Sequence, residues 1–370
     1  MPGVDVVVIG AGVVGLACAA SLARRGRSVV VVERHEGPGR ETSSRNSGVI
    51  HAGIHYPPGS LKAQTCLEGL RLLYARCERE GIPHRRTGKL VVAVTEPEIA
   101  TLHAIHATAT AAGATGLRLL DRAELSRMEP LLSGAGALWS GASGIVDAHA
   151  LMDSYAAETR AHGSDIAYRT VVESLEPSAG GCTVGTRDAS GARFEVRAAW
   201  VVNAAGLEAD RVAELAGLDP DALGWRIHWC KGEYFALAPS VPRPTTALVY
   251  PIPAGPGIGI HLTTDLGGRC IAGPDARYVD AIDYAVDPAR ATAFARAVAR
   301  YLPHVRAHDL SPDYSGIRPK LAGPGEPFRD FVVADGTALG APRTVHLVGI
   351  ESPGLTASAA IGERVAALIE

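Results

Sequence analysis

The chain alternates between short, almost wholly apolar runs and longer amphipathic ones. Residues 4–9 (VDVVVI) are nearly all apolar and β-branched, as a strand buried on both faces requires. Residues 16–25, rich in Ala and Leu and stopped by Gly26, read as a helix with a glycine after its end. A second apolar run fills 28–32. Further helices are expected at 60–80 (Ser60 as N-cap, Gly81 as C-cap), near 96–112, within 117–129, near 149–162, and at 209–216, 287–302 and 357–369. Strands are expected at 87–94, 136–146, 166–172, 200–203, 225–237, 248–253, 257–263, 270–272, 331–334 and 344–348. An antiparallel meander should occupy 173–195, turning at 188–191.

Between the first strand and helix stand Gly10, Gly12 and Gly15, in the spacing GxGxxG. The first suits a tight turn, the second lets backbone approach a pyrophosphate, and the third lets the helix sit close on the strand. The helix amino end offers N–H groups and partial positive charge to that pyrophosphate. Glu33 ends the second strand, where a carboxylate accepts hydrogen bonds from ribose hydroxyls and would repel a 2′-phosphate. A strand, glycine turn and helix recur at Asn203–Ala204–Ala205–Gly206 and at Gly349–Thr356. Three such junctions, far apart in sequence, imply an interleaved α/β (α+β) architecture. A Rossmann-like nucleotide domain would take residues 1–85, 145–210 and 311–370. An antiparallel-sheet substrate domain would take 86–144 and 211–310.

Composition narrows the partners. The 370 residues are 47% hydrophobic and 20% charged, enough for a large core, and a net charge of −3 makes nucleic acid an unexpected partner. Six cysteines, at 18, 66, 77, 182, 230 and 270, form no CxxC pair, so no metal site or disulfide framework is expected and a cytoplasmic setting is the simplest. The apolar start is not read as a signal peptide, because no Lys or Arg precedes it and Asp5 interrupts it. No long apolar stretch suits a membrane span, which leaves open a peripheral contact at the inner membrane.

Several stretches resemble the FAD-dependent oxidoreductases of the D-amino-acid oxidase superfamily, and among them the L-2-hydroxyglutarate oxidase/dehydrogenase family. They are NSGVIHAGIHYPPGSLKAQTC (46–66), TGKLVVAV (87–94), VVNAAG (201–206), YPIP and GIGIHLT (250–263) and GIRPKL (316–321). The resemblance implies a Rossmann-like FAD domain joined to an antiparallel substrate domain; the superfamily allows covalent flavin, but the cysteines give no signal for it, and noncovalent FAD is expected. It implies oxidation of a 2-hydroxy acid, L-2-hydroxyglutarate first, with electrons passing to oxygen or a quinone. An amino-acid or amine oxidase of the same fold is the alternative.

Such a reaction needs a base for the hydroxyl proton, and imidazole suits that role at neutral pH. His51, whose loop the resemblance places near the flavin, is the first candidate, and His261 the second. Arg318 suits a substrate carboxylate through its planar fork, in a Gly-x-Arg-Pro setting that relatives place near substrate and cofactor. His55, Tyr250 and Lys320 are candidate substrate contacts. Lys62 and Arg45 could meet a second carboxylate or the phosphates, although solvated faces suit such residues first. By resemblance, Gly10, Gly12, Val14, Gly15, Glu33, Arg34, Thr42, Ser43, Arg45, Asn46 and Ser47 contact the cofactor. Val172 would meet adenine through its backbone. Ala204, Ala205, Gly206, Gly349, Gly354, Leu355 and Thr356 complete the set.

Overall fold

A computed structural model describes residues 3–242, 247–253 and 259–369. One sheet holds, side by side and parallel, Asp165–Ala167, Val29–Val32, Val4–Ile9, the end of Arg193–Asn203, and Thr344–Val348, with Val332–Asp335 antiparallel at the edge. The apolar runs are buried on both faces, as their unbroken β-branched character requires. Val6, Val8, Val29, Val31, Val202 and Leu347 share a core with the helices Val13–Arg24, Ala148–Ala161 and Gly354–Leu368. Val7, Ile9, Val201 and Val348 belong to the opposite core, against the helix Ala209–Leu215. Each such side chain contributes about 1.5–3 kcal/mol on burial. Start, middle and end of the chain thus meet in one sheet, with the three glycine junctions at the ends of neighbouring parallel strands.

The second sheet runs in the order Arg277–Tyr278, His228–Leu237, Cys270–Ala272, Leu262–Thr264, Leu248–Pro251, Lys89–Ala93, Gly136–Ser140 and Leu117–Asp121. Leu310–Lys320 also pairs with His228–Leu237, antiparallel along almost its whole length. Val49–Ile50, Gly144–Val146 and His84–Arg85 form a small third sheet.

Several expectations need correction. The strand expected at 136–146 is two strands in different sheets, because a turn at residues 141–143 breaks it. The run 166–172 breaks at Arg169, whose positive φ of 53° ends one strand before Thr170–Ser178 begins. Leu248–Pro251 pairs parallel with Lys89–Ala93, so the second sheet is mixed and not wholly antiparallel. The boundary expected at residue 311 cuts through Leu310–Lys320, which belongs to the second sheet. The helix expected at 287–302 is a short 3-10 turn, Pro288–Arg290, followed by Ala291–Ala299. Of the strand expected at 257–263, residues 257–258 lie outside the described residues, and Leu262–Thr264 forms its end.

Candidate active site

The glycine turn behaves as its spacing requires. Gly10 has φ +104°, and a side chain on Gly15 would begin 2.0 Å from the Gly10 carbonyl oxygen, so strand and helix meet there without room for a methyl group. The first turn of Val13–Arg24 opens on a cleft of about 890 Å³, lined there by Gly12, Val13 and Val14. The amino end of Gly354–Leu368 opens on the same cleft through Gly354 and Leu355. The two helix amino ends therefore converge on one groove, a setting for an extended anionic cofactor.

Thr42, Ser43, Arg45, Asn46, Ser47, Ala204 and Gly206 also line this groove. Ser43 Oγ accepts from the Val13 N–H at 3.0 Å and so caps the first helix. Thr42 Oγ1 donates to the Ile317 carbonyl at 2.9 Å, which ties the 42–47 segment to the second sheet. Gly10, Gly15, Glu33, Arg34, Val172, Ala205, Gly349 and Thr356 lie outside the lining. The Glu33 carboxylate is buried and accepts from the N–H groups of Ala11 and His35, both at 2.8 Å. Arg34 pairs with Glu41. Val172 sits on the meander, opposite Thr186. Gly349 follows the strand Thr344–Val348 with φ +70°. Thr356, expected among the cofactor contacts, is fully buried, and its Oγ1 accepts from the His51 N–H at 3.0 Å, so it pins the histidine loop.

The same cleft is lined by His51, His55, Tyr250, His261, Arg318 and Lys320. Tyr250 stacks on His261 with centroids 3.8 Å apart and planes at 10°. His261 Nδ1 lies 3.2 Å from the Gly259 carbonyl, to which only a protonated nitrogen can donate, so Nε2 is left as the acceptor. His51 Nε2 lies 3.2 Å from Ser352 Oγ, which is 3.4 Å from Tyr56 Oη. The buried His55 Nε2 has no hydrogen-bond partner among the described residues.

Behind them lies Lys89, 1% exposed, a residue that sequence reasoning missed. Its strand runs parallel to Leu248–Pro251 with Val91 opposite Tyr250, and period-two alternation puts Lys89 on the same face as Val91. Its ammonium sits 4.1 Å from the centroid of the Tyr250 ring. Burial lowers its pKa to about 8. Burial, and then the Lys89 charge, hold His55 at about 3 and His51 well below the ordinary range. Burial first also brings His261 to about 3, against a rise from its bond to Gly259. At neutral pH these three imidazoles are uncharged proton acceptors.

Neither Lys62, which is buried, nor Arg45, which is half-buried, lies on a solvated face. Lys62 is 5% exposed, and its Nζ lies 2.9 Å from Glu351, which Lys320 also reaches at 3.1 Å. Burial alone would raise the Glu351 pKa, but the two ammonium groups hold it below its ordinary value. The Arg45 guanidinium lies 3.9 Å from the centroid of Tyr284. The signal for Lys89 was present as a lone cation opening an apolar strand. Nothing local marked Glu351 as the partner of two lysines.

A nucleotide-type sheet whose helix ends open on the same cleft as three imidazoles defines a dinucleotide-dependent oxidoreductase, with room for an extended cofactor beside a small substrate. A family model described as DAO, FAD dependent oxidoreductase, matches residues 5–368. The chain belongs to this FAD-dependent family and, within it, to the L-2-hydroxyglutarate dehydrogenases. It is 40% identical to the mitochondrial L-2-hydroxyglutarate dehydrogenase of Arabidopsis thaliana, over 98% of this chain and 83% of that protein. It is 30% identical to the Escherichia coli K12 L-2-hydroxyglutarate dehydrogenase, over 99% of this chain and 93% of that protein. Among solved structures, FAD-bound L-α-glycerophosphate oxidase from Mycoplasma pneumoniae superimposes with a TM-score of 0.86 at 25% identity, covering 100% of this chain and 95% of the other. Glycine oxidase from Geobacillus kaustophilus shares the fold, with a TM-score of 0.82 at 23% identity, over 100% of this chain and 95% of that one. FAD is the cofactor of this enzyme family, and the converging helix ends and crowded glycine turn fit it.

Proposed function

We propose that the protein oxidises L-2-hydroxyglutarate to 2-oxoglutarate. The observation that carries this reading is the charge of the cleft wall. Arg45, Lys62, Arg318, Lys320 and Arg329 line it, against Asp275, Glu326 and Glu351. Five cations to three acids, beside uncharged imidazoles, suit a hydroxy acid that carries two carboxylates. The Arg318 fork takes the carboxylate next to the hydroxyl, and Lys320 the distal one.

His51 takes the hydroxyl proton, its ring fixed by Ser352. His261, with Nε2 as acceptor, is the second candidate for that role. Bound FAD supplies the acceptor for the hydride leaving the carbon that bears the hydroxyl. A hydroxyl keeps its proton at neutral pH until a base removes it, and imidazoles kept uncharged by burial are free to accept it. Oxygen or a quinone takes the electrons onward. No helix among the described residues is long and apolar enough to cross a membrane.

The test is anaerobic flavin reduction with L- and D-2-hydroxy acids and with amino acids. Bleaching of the visible flavin band by L-2-hydroxyglutarate is expected. Bleaching by amino acids alone would overturn the reading.

A further inference from the structure

Arg318 does not hang free in the cleft. Its Nη1 and Nη2 donate to one backbone carbonyl, that of Asp275, at 3.2 and 3.3 Å. That carbonyl belongs to the turn after Cys270–Ala272, and the Asp275 side chain fastens the turn. Asp275 Oδ1 accepts from the Glu233 N–H at 2.8 Å, and Oδ2 accepts from Arg290. Arg290 Nε lies 3.1 Å from the Glu233 carboxylate, which is 1% exposed and also has Lys231 and Arg277 at 3.6 Å. This ion cluster, centred on the buried Glu233 carboxylate, lies behind the carbonyl that holds Arg318.

Gly232 completes the seat. It is on the strand His228–Leu237, two positions from Cys230 and so on the same face, and Cys230 pairs with Arg318 across the ladder. A methyl group at Gly232 would begin 2.9 Å from Arg318 Nη2, 3.0 Å from the Asp275 carbonyl oxygen and 2.7 Å from Pro274 Cβ. The slot holding the guanidinium therefore exists because residue 232 has no side chain.

We propose that Gly232 and Asp275 are positioning residues that aim the Arg318 fork at the substrate carboxylate. The proposal rests on the reading of Arg318 as a carboxylate ligand. Two of the fork's five N–H groups are fixed on Asp275, which fixes the plane in which the rest face the cleft. On this proposal each acts on the substrate through the guanidinium. Misplacement of a binding group by about 1 Å costs up to ~10²-fold in rate, which sets the scale expected here.

The test is a double-mutant cycle on the FAD-loaded protein. Gly232→Ala and Asp275→Asn are each made in the wild type and in Arg318→Met. In the wild type each should lower kcat/KM for L-2-hydroxyglutarate by about 10- to 100-fold, mostly through KM, with flavin content unchanged. In Arg318→Met each should change it by less than about twofold, because the group through which they act is gone. Equal losses in both backgrounds, or no loss in the wild type, overturn the proposal. Asp275→Asn keeps the carbonyl and the side-chain shape, and it decides the matter if Gly232→Ala fails to retain flavin. Titrating the oxidised protein with acetate, read from the flavin absorbance, separates the two failures. If no hydroxy acid reduces the flavin yet acetate binding weakens in the same variants, only the substrate reading falls. If acetate binding is the same in wild type, Gly232→Ala and Asp275→Asn, the positioning proposal falls.

Discussion

Replacing Lys89 by Met should stabilise the protein at neutral pH. Met has nearly the same length and volume, so the core around it need not repack. Burial lowers the Lys89 pKa from an ordinary 10.5 to about 8. At about 1.4 kcal/mol per pH unit, holding that ammonium inside the fold costs about 3 kcal/mol at pH 7. The contact with Tyr250 is part of that balance, so the gain on removing the charge is on the order of 1–3 kcal/mol. The sign with pH follows from a base whose folded pKa is depressed. The cost is complete below about 8, shrinks as the pH rises from there to 10.5, and is gone above that value, where Lys89 is neutral folded and unfolded. Thermal unfolding of the FAD-loaded protein, followed by release of flavin fluorescence, should therefore show Lys89→Met melting a few degrees above wild type at pH 7. At pH 10 the difference should have largely closed. A variant that is less stable than wild type by the same amount at both pH values would refute the reasoning. A second consequence follows from geometry. Lys89 and His261 both lie close to the Tyr250 centroid, so they must take opposite faces of the ring, about 8 Å apart. With an effective dielectric near 20, one charge at that distance is worth about 2 kcal/mol, so the variant's His261 should titrate higher by about one to one and a half pH units.

The other predictions use the same site. His51→Ala should slow flavin reduction by about a hundredfold or more with FAD still bound, as removal of a positioned base does, and unchanged stopped-flow kinetics would exclude His51 as the base. His55 and His261 stay neutral in the fold down to about 3 but protonate near 6.5 when unfolded, so both cost stability as the pH falls below 6.5. Stability should fall between pH 6.5 and 4 by up to about 1.4 kcal/mol per pH unit for each ring, read as a falling melting temperature, and His261→Asn should flatten that slope. Gly15→Ala places a methyl carbon 2.0 Å from the Gly10 carbonyl oxygen, so the purified variant should have lost most of its flavin absorbance; full flavin content would show that the turn can yield.

What the sequence made legible was whatever one contiguous stretch imposes on its own residues. The turn at Gly10–Gly15 demands particular residue types within a few positions, and an apolar β-branched run can only be a strand covered on both sides. Neighbours were not legible, because such a run says how deeply it is buried and nothing of what lies beside it. Hence the parallel pairing of Leu248–Pro251 with Lys89–Ala93 was missed, although both strands were expected. The same limit hid the electrostatics. Whether Lys62 is solvated or buried depends on Glu351, which arrives from the far end of the chain. Lys89, Glu351 and Gly232 nevertheless share one property. Each breaks the local pattern of its element, as a cation opening an apolar strand, an acid in a glycine turn, or a glycine amid a well-packed strand. Each break costs stability on its own and is offset only by a partner brought from elsewhere: Tyr250, two lysines, and the guanidinium of Arg318. Glu351 and Gly232 line one cleft, and Lys89 packs on Tyr250 in its wall, which is the physical reason to place the chemistry there.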